Sequence, residues 1–144
     1  MYLCKTFFSL KYGTYSTEEL VQAGMNAGAN SLALTNINCT CDAWDFVQFC
    51  QQQQIKPILG VEIRNGRQHL YTLFAANNNG FRRINEFLSE HMLGKKDFPL
   101  FPEALPDVFV IYPLGRKDPA DLRKNELIGV LTDEPLKKGI CEAF

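Results

Sequence analysis

Hydrolysis at a metal centre requires several His, Asp, Glu or Cys side chains to converge on one point. This chain offers few candidates, with two histidines and five cysteines. Cys39 and Cys41 form a Cys-x-Cys pair, but zinc sites usually join Cys-x-x-Cys to a second Cys or His half-site, and none follows at a usable spacing. Cys4 and Cys50 fall on apolar periods and read as core thiols. His69 stands near the start of a strand and reads as an exposed strand residue. His91 stands near the end of a helix, where it suits the helix C-terminus. There is no Gly-rich phosphate loop, no Gly-x-Ser-x-Gly elbow and no Cys-His pair close in sequence.

The elements that must position any such site belong to one domain. A chain of 144 residues with 46% hydrophobic content can bury a real core, and is too short to imply two domains. Fifteen Lys and Arg against sixteen Asp and Glu leave a formal charge of −1, which excludes a domain that binds DNA strongly through bulk positive charge. The basic doublets, Arg82-Arg83 and Lys95-Lys96 among them, read as solvated surface. An odd cysteine count, with no signal peptide and no apolar run long enough to span a bilayer, gives the expectation of a reducing cytoplasm and no membrane association.

Along the chain, Tyr2 to Phe8 is the first strand expected, followed by a loop to Gly13. Ser16 and Glu19 make a capping box for a helix that Gly28 stops. Ser31 to Thr35 is a second strand, Asp42 to Gln53 a second helix and Ile55 to Ile63 a third strand. Strands alternating with helices through short connections favour a parallel sheet with right-handed crossovers. Asn65-Gly66 then signals a hairpin to Leu70–Ala75, which makes the sheet mixed or a distorted barrel. A third helix is expected over Phe81 to Met92 with Gly94 as its stop. After a proline-rich loop come a strand at Asp107 to Tyr112, a short helix from Asp118-Pro119 through Lys124 and a strand at Leu127 to Leu131. The tail from Asp133 to Phe144 has no clear period.

Parallel α/β folds place their chemistry at the carboxyl ends of the strands. Here those ends are Thr6 to Ser9, Thr35 to Asn38, Glu62, Ala76-Asn77, Tyr112 and Thr132-Asp133. Glu62 is the one convincing ionisable group in the first five, so the expected active edge is nearly empty.

Three runs carry a resemblance. Thr6-Phe7-Phe8-Ser9-Leu10-Lys11-Tyr12-Gly13, Leu32-Ala33-Leu34-Thr35-Asn36-Ile37 and Ile55-Lys56-Pro57-Ile58-Leu59-Gly60-Val61-Glu62-Ile63 resemble the start of the polymerase and histidinol phosphatase (PHP) domain family. Within it, they look most like the domain at the amino terminus of bacterial replicative DNA polymerase III alpha subunits. The later runs Phe74-Ala75-Ala76-Asn77-Asn78-Asn79-Gly80-Phe81 and Leu88-Ser89-Glu90-His91 are similar to that group too. The resemblance implies an α/β fold, a partial distorted (β/α) barrel of the PHP type, incomplete at its C-terminal side, with residues 1–144 forming a single truncated domain.

The resemblance also implies where metal ligands would stand. Active PHP domains carry a His-x-His after the first strand, an Asp-His after the second and a Glu after the third. Here the first position reads Leu3-Cys4-Lys5 and the second Asn36-Ile37, and only Glu62 keeps the family's residue. Lys5 puts a fixed positive charge where a cation should sit. The expected reading is therefore a degenerate metal site at Leu3, Lys5, Asn36, Ile37 and Glu62, with no catalytic residue, metal or cofactor in this fragment. The implied parent chain is a DNA-directed DNA polymerase, a nucleotidyltransferase of DNA replication, in which this piece is a catalytically silent scaffold. Its implied partners are the remainder of the alpha subunit and a proofreading exonuclease subunit, without strong direct DNA binding by the fragment itself. Two alternatives stand beside it: a metal-dependent phosphoesterase using Glu62 with Cys4, Cys39, Cys41 and Asp133, and a stand-alone protein-binding module.

Overall fold

The computed structural model describes residues 2–130, so Asp133, the expected strand end at Leu131 and the tail beyond lie outside the described residues. Six strands form one sheet in sequential order: β1 (Tyr2–Cys4), β2 (Ser31–Leu34), β3 (Lys56–Asn65), β4 (Gln68–Ala75), β5 (Val108–Pro113) and β6 (Glu126–Gly129). The first three are parallel, β4 is antiparallel to both its neighbours, and β6 is parallel to β5. The helices are α1 (Thr17–Asn26), α2 (Ala43–Gln52) and α3 (Asn78–Leu93).

Burial explains how the sheet is dressed. Leu32 and Leu34 of β2, with Leu59 of β3, pack against Leu20 and Val21 of α1 and Phe46 and Cys50 of α2. Further along β3, Val61 and Ile63 join Tyr71, Leu73, Val108, Val110 and Tyr112 beneath Ile84, Phe87 and Leu88 of α3. Side chains alternate across a strand, so Leu59, Val61 and Ile63 share one face and all three helices cover it. The opposite face carries Ala33, Ile58, Gly60, Glu62, Thr72, Phe74, Phe109, Ile111 and Leu127, which stand in mutual register. The result is a curled half-barrel: a wall dressed on its outside, with an inner face on which Phe109 is 44% and Leu127 50% exposed.

Several expectations need correction. The first strand ends at Cys4 rather than Phe8, because the Thr6 N–H is taken by the Asn36 side chain at 2.9 Å and the chain then turns through Ser9. The helix expected from Asp118 through Lys124 is a single 3-10 turn at Pro119–Asp121, which Asp118 caps by accepting from Ala120 N–H. The third helix starts earlier than expected because Asn77 caps it, its side chain accepting from Gly80 N–H at 3.0 Å. The Ser16–Glu19 capping box is present in both directions, and Gly66 turns the hairpin with φ +56°.

A β-bulge in the hairpin bears on the site. Ile63 pairs with Tyr71 but Arg64 with His69, so Leu70 is an extra residue in β4. Leu70 goes to the helix-covered core, and His69 and Thr72, three apart, come to the inner face, where the His69 ring lies 3.2 Å from Thr72 Oγ1.

Candidate functional site

The carboxyl ends of β1, β2 and β3 meet where the sequence placed the empty edge. Glu62 is 6% exposed, and Ile37 extends β2 by one parallel bridge to it. Backbone bonds tighten this join: Glu62 N–H donates to Asn36 O at 3.0 Å and Asn38 N–H donates to Glu62 O at 2.9 Å.

Two cations hold the Glu62 carboxylate. Lys5 Nζ lies 2.7 Å from Oε2, and Arg64 Nε donates to Oε1. Arg64 is fixed in turn by Tyr12, over whose ring its guanidinium lies 4.3 Å from the centroid, and whose hydroxyl accepts from Nη1 at 2.8 Å. Burial would raise the Glu62 carboxyl, but the hydrogen bond and charge of Lys5, then Arg64, override it and hold the pKa below the ordinary value. His69 is half-buried beside the same group. Burial lowers its pKa; Glu62 pulls the other way, and the positive charges of Arg64 and Lys5 add to the lowering, so the ring is held toward its neutral form. The Arg116 guanidinium donates to the His69 carbonyl at 2.8 Å.

Asn36 is fully buried and spent on structure. Its Oδ1 accepts from Thr6 N–H at 2.9 Å and Ser9 Oγ at 2.8 Å; its Nδ2 donates to Thr6 Oγ1 and Asp42 Oδ1, each at 2.8 Å. Asp42 Oδ2 accepts from Thr6 Oγ1 at 2.7 Å and Thr17 Oγ1 at 3.0 Å, and Ile37 N–H donates to Ser9 Oγ at 2.9 Å. Every lone pair and proton of the Asn36 amide is therefore committed. Gly13 lets this loop close, since a Cβ there would stand 2.1 Å from Thr6 O.

Of the five positions read from the sequence, the structure brings Lys5, Asn36, Ile37 and Glu62 to one edge. Leu3 stays away. It pairs with Ala33, which pairs with Ile58, four residues short of Glu62, and it is 52% exposed. Arg64, Tyr12, Asp42 and His69 are the site neighbours that sequence reasoning missed. Arg64 was within reach, because residues two apart on a strand share a face; the expectation of an exposed His69 fails because the bulge turns it inward. Cys50 is fully buried with its thiol pushed up to about 11, chiefly by burial, and Cys4 packs against the same core, its thiol also raised by burial. His91 bonds the Phe87 carbonyl at 2.8 Å and stacks on Phe98 in the last turn of α3, remote from this edge in sequence and in role. Among the described residues, no three His, Cys, Asp or Glu side chains gather as a metal would require. The donors described at this edge do not fit a metal cluster: the Glu62 carboxylate is already paired with an ammonium and a guanidinium, and the His69 ring beside it is one further donor.

The half-barrel fold defines a class, and sequence comparison agrees with it: the PHP domain family pattern matches residues 2–110, and the chain belongs to that family. Its relatives include the DNA polymerase III subunit alpha of Streptococcus pyogenes, 25% identical over 112 residues, which are 76% of this chain and 11% of that protein. The same subunit from S. pyogenes serotype M3 is 23% identical over the same share. The chain thus spans about a tenth of the length of the curated relatives it matches, 11%. Among solved structures, a putative metal-dependent phosphoesterase from Bifidobacterium adolescentis superposes with TM-score 0.53 at 14% identity, covering 99% of this chain and 74% of that one, which is a likeness of fold. Among the described residues no helix is long and apolar enough to cross a membrane.

Proposed function

We propose that this chain is the amino-terminal PHP portion of a DNA polymerase III alpha subunit, a single incomplete domain that works in the cytoplasm as a catalytically silent scaffold for the rest of the polymerase. The observation that carries the reading is the state of Glu62. Its carboxylate, at a position where the resembling family keeps a ligand, is neutralised from within, by Lys5 at 2.7 Å and by Arg64. An ammonium on that carboxylate does the charge balancing that a bound cation would do, and a cation brought there would meet two fixed positive charges. Asn36 and Ile37 supply no alternative: one is locked in hydrogen bonds and the other has no donor atom. The fragment on this reading uses no metal or cofactor. Its partners are the remainder of the alpha subunit and a proofreading exonuclease subunit, with no strong direct DNA binding, in keeping with a formal charge of −1.

The test is hydrolysis of a generic aryl phosphate by the 144-residue chain with added manganese or zinc. No turnover above a protein-free control is expected; turnover abolished by Glu62→Gln contradicts the reading and favours the phosphoesterase. Reading the gene past Phe144 separates the remaining choice: a polymerase body downstream supports the scaffold, and an immediate stop codon favours a stand-alone binding module.

A further inference from the structure

Cys39 and Cys41 take no part in the site above, yet their sulfurs touch. The Cys39 thiol donates to Cys41 Sγ at 3.0 Å, and the Cys41 backbone N–H lies 3.4 Å from Cys39 Sγ. The turn that carries them is anchored on the residues that alternate with them. Asn38, at φ +49°, accepts from Arg64 N–H and donates to Arg64 O through its side-chain amide, both at 2.9 Å. Thr40 Oγ1 donates to Asn85 Oδ1 of α3 at 2.5 Å, and Asp42 is held in the Asn36 network. With 38, 40 and 42 fixed, the thiols at 39 and 41 stay together without further ordering of the loop. Cys41 is exposed and Cys39 half-buried, whereas Cys50 is sealed in the core.

We propose that Cys39 and Cys41 form a redox-active dithiol that exchanges with low-molecular-weight disulfides and closes to a disulfide within the loop. Accessible, neighbouring thiols are the ones that undergo such exchange. The exposed Cys41, as its thiolate, attacks one sulfur of the small disulfide; a Cys41–S bond forms, the S–S bond of the small disulfide breaks, and one small thiolate leaves and takes up a proton. Cys39 then loses its proton and attacks Cys41 Sγ, forming the Cys39–Cys41 bond and expelling the second small thiol. Two protein thiols are oxidised and one small disulfide is reduced to two thiols. Cys39, half-buried and 3.0 Å from Cys41 Sγ, is the resolving sulfur.

Oxidised glutathione is the probe. The full chain is incubated with it, quenched in acid, alkylated and mapped by tandem mass spectrometry. The expected result is a segment spanning residues 39 to 41 that is two hydrogens lighter and unalkylated, with Cys4 and Cys50 alkylated as in the untreated chain. In Cys39→Ser the resolving step is lost, and a glutathione adduct accumulates on Cys41. Full alkylation of both cysteines after oxidant treatment, or a bridge from either one to Cys4 or Cys50, overturns the proposal, as does Cys39→Ser without an adduct on Cys41.

Discussion

Glu62 and Asn36 show how two single positions decide what this edge can do. Replacing Glu62 by Gln leaves Lys5 and Arg64 as two neighbouring cations without their carboxylate, and breaking a buried charge cluster on one side costs about 3 kcal/mol. A fall of that size in urea unfolding at neutral pH is expected. The pH dependence has a definite sign. Because the folded pKa of Glu62 lies below its unfolded value, the ion cluster stabilises the fold above the ordinary carboxyl range, and that stability is lost as the pH falls through the lowered folded value. The wild type should therefore lose more stability on acidification than Glu62→Gln does. Asn36→Asp places a carboxylate 2.8 Å from Asp42 Oδ1 in a buried network, where an amide donor becomes an acceptor. Two carboxylates in one buried site repel, so this variant should be destabilised by about 2–4 kcal/mol, read as a lower melting temperature at pH 7 that recovers in part as the pH is lowered. At this scale the sequence made Lys5 and Glu62 legible as opposite charges at one edge, and they pair at 2.7 Å. The sequence hid the Asn36–Asp42–Thr6 network, because Asp42 reads only as the first residue of a helix and its partners lie up to 36 residues away; in the structure its carboxylate makes no cap bond.

Among the elements, those with local chemistry were legible and those set by distant contacts were not. The α1 capping box, the Asn65-Gly66 hairpin and the strand-helix alternation are all written in short-range spacing. The early end of β1 and the Leu70 bulge are set by a side chain 30 residues away and by the demands of the core, and no local pattern encodes either. The β5–β6 crossover was read as helical and is instead held by one acid. Glu126, with its side chain fully buried, accepts from Tyr112 Oη at 2.9 Å, Lys117 Nζ at 2.6 Å, and the backbone and guanidinium of Arg123. Burial would raise its carboxyl, but the Arg123 side chain and backbone, then Lys117 and Tyr112, pull it from the ordinary 4.5 down to about 2. Its contribution is therefore complete above about pH 4.5 and is lost as the pH falls toward 2. Glu126→Gln should cost about 3 kcal/mol at pH 7 and flatten the acid limb of the stability profile over that window, as measured by chemical denaturation at stepped pH.

The described residues form a half-barrel whose helices dress one face while the inner face leaves Phe109 and Leu127 about half exposed, at 44% and 50%. The strand-helix order foretold the barrel wall; the side on which all three helices fall follows from burial that only the assembled sheet displays. The end of the wall where β1, β2 and β3 finish holds an internal ion cluster of Lys5, Glu62 and Arg64. On the proposed reading, Lys5 and Arg64 take the cation's place on Glu62. This is tested most directly by elemental mass spectrometry of the chain purified without chelator and then equilibrated with zinc and manganese before desalting. Metal is expected to stay far below one equivalent per chain, in the wild type and in Glu62→Gln alike. Retention of one or more equivalents by the wild type, lost in Glu62→Gln, contradicts that reading.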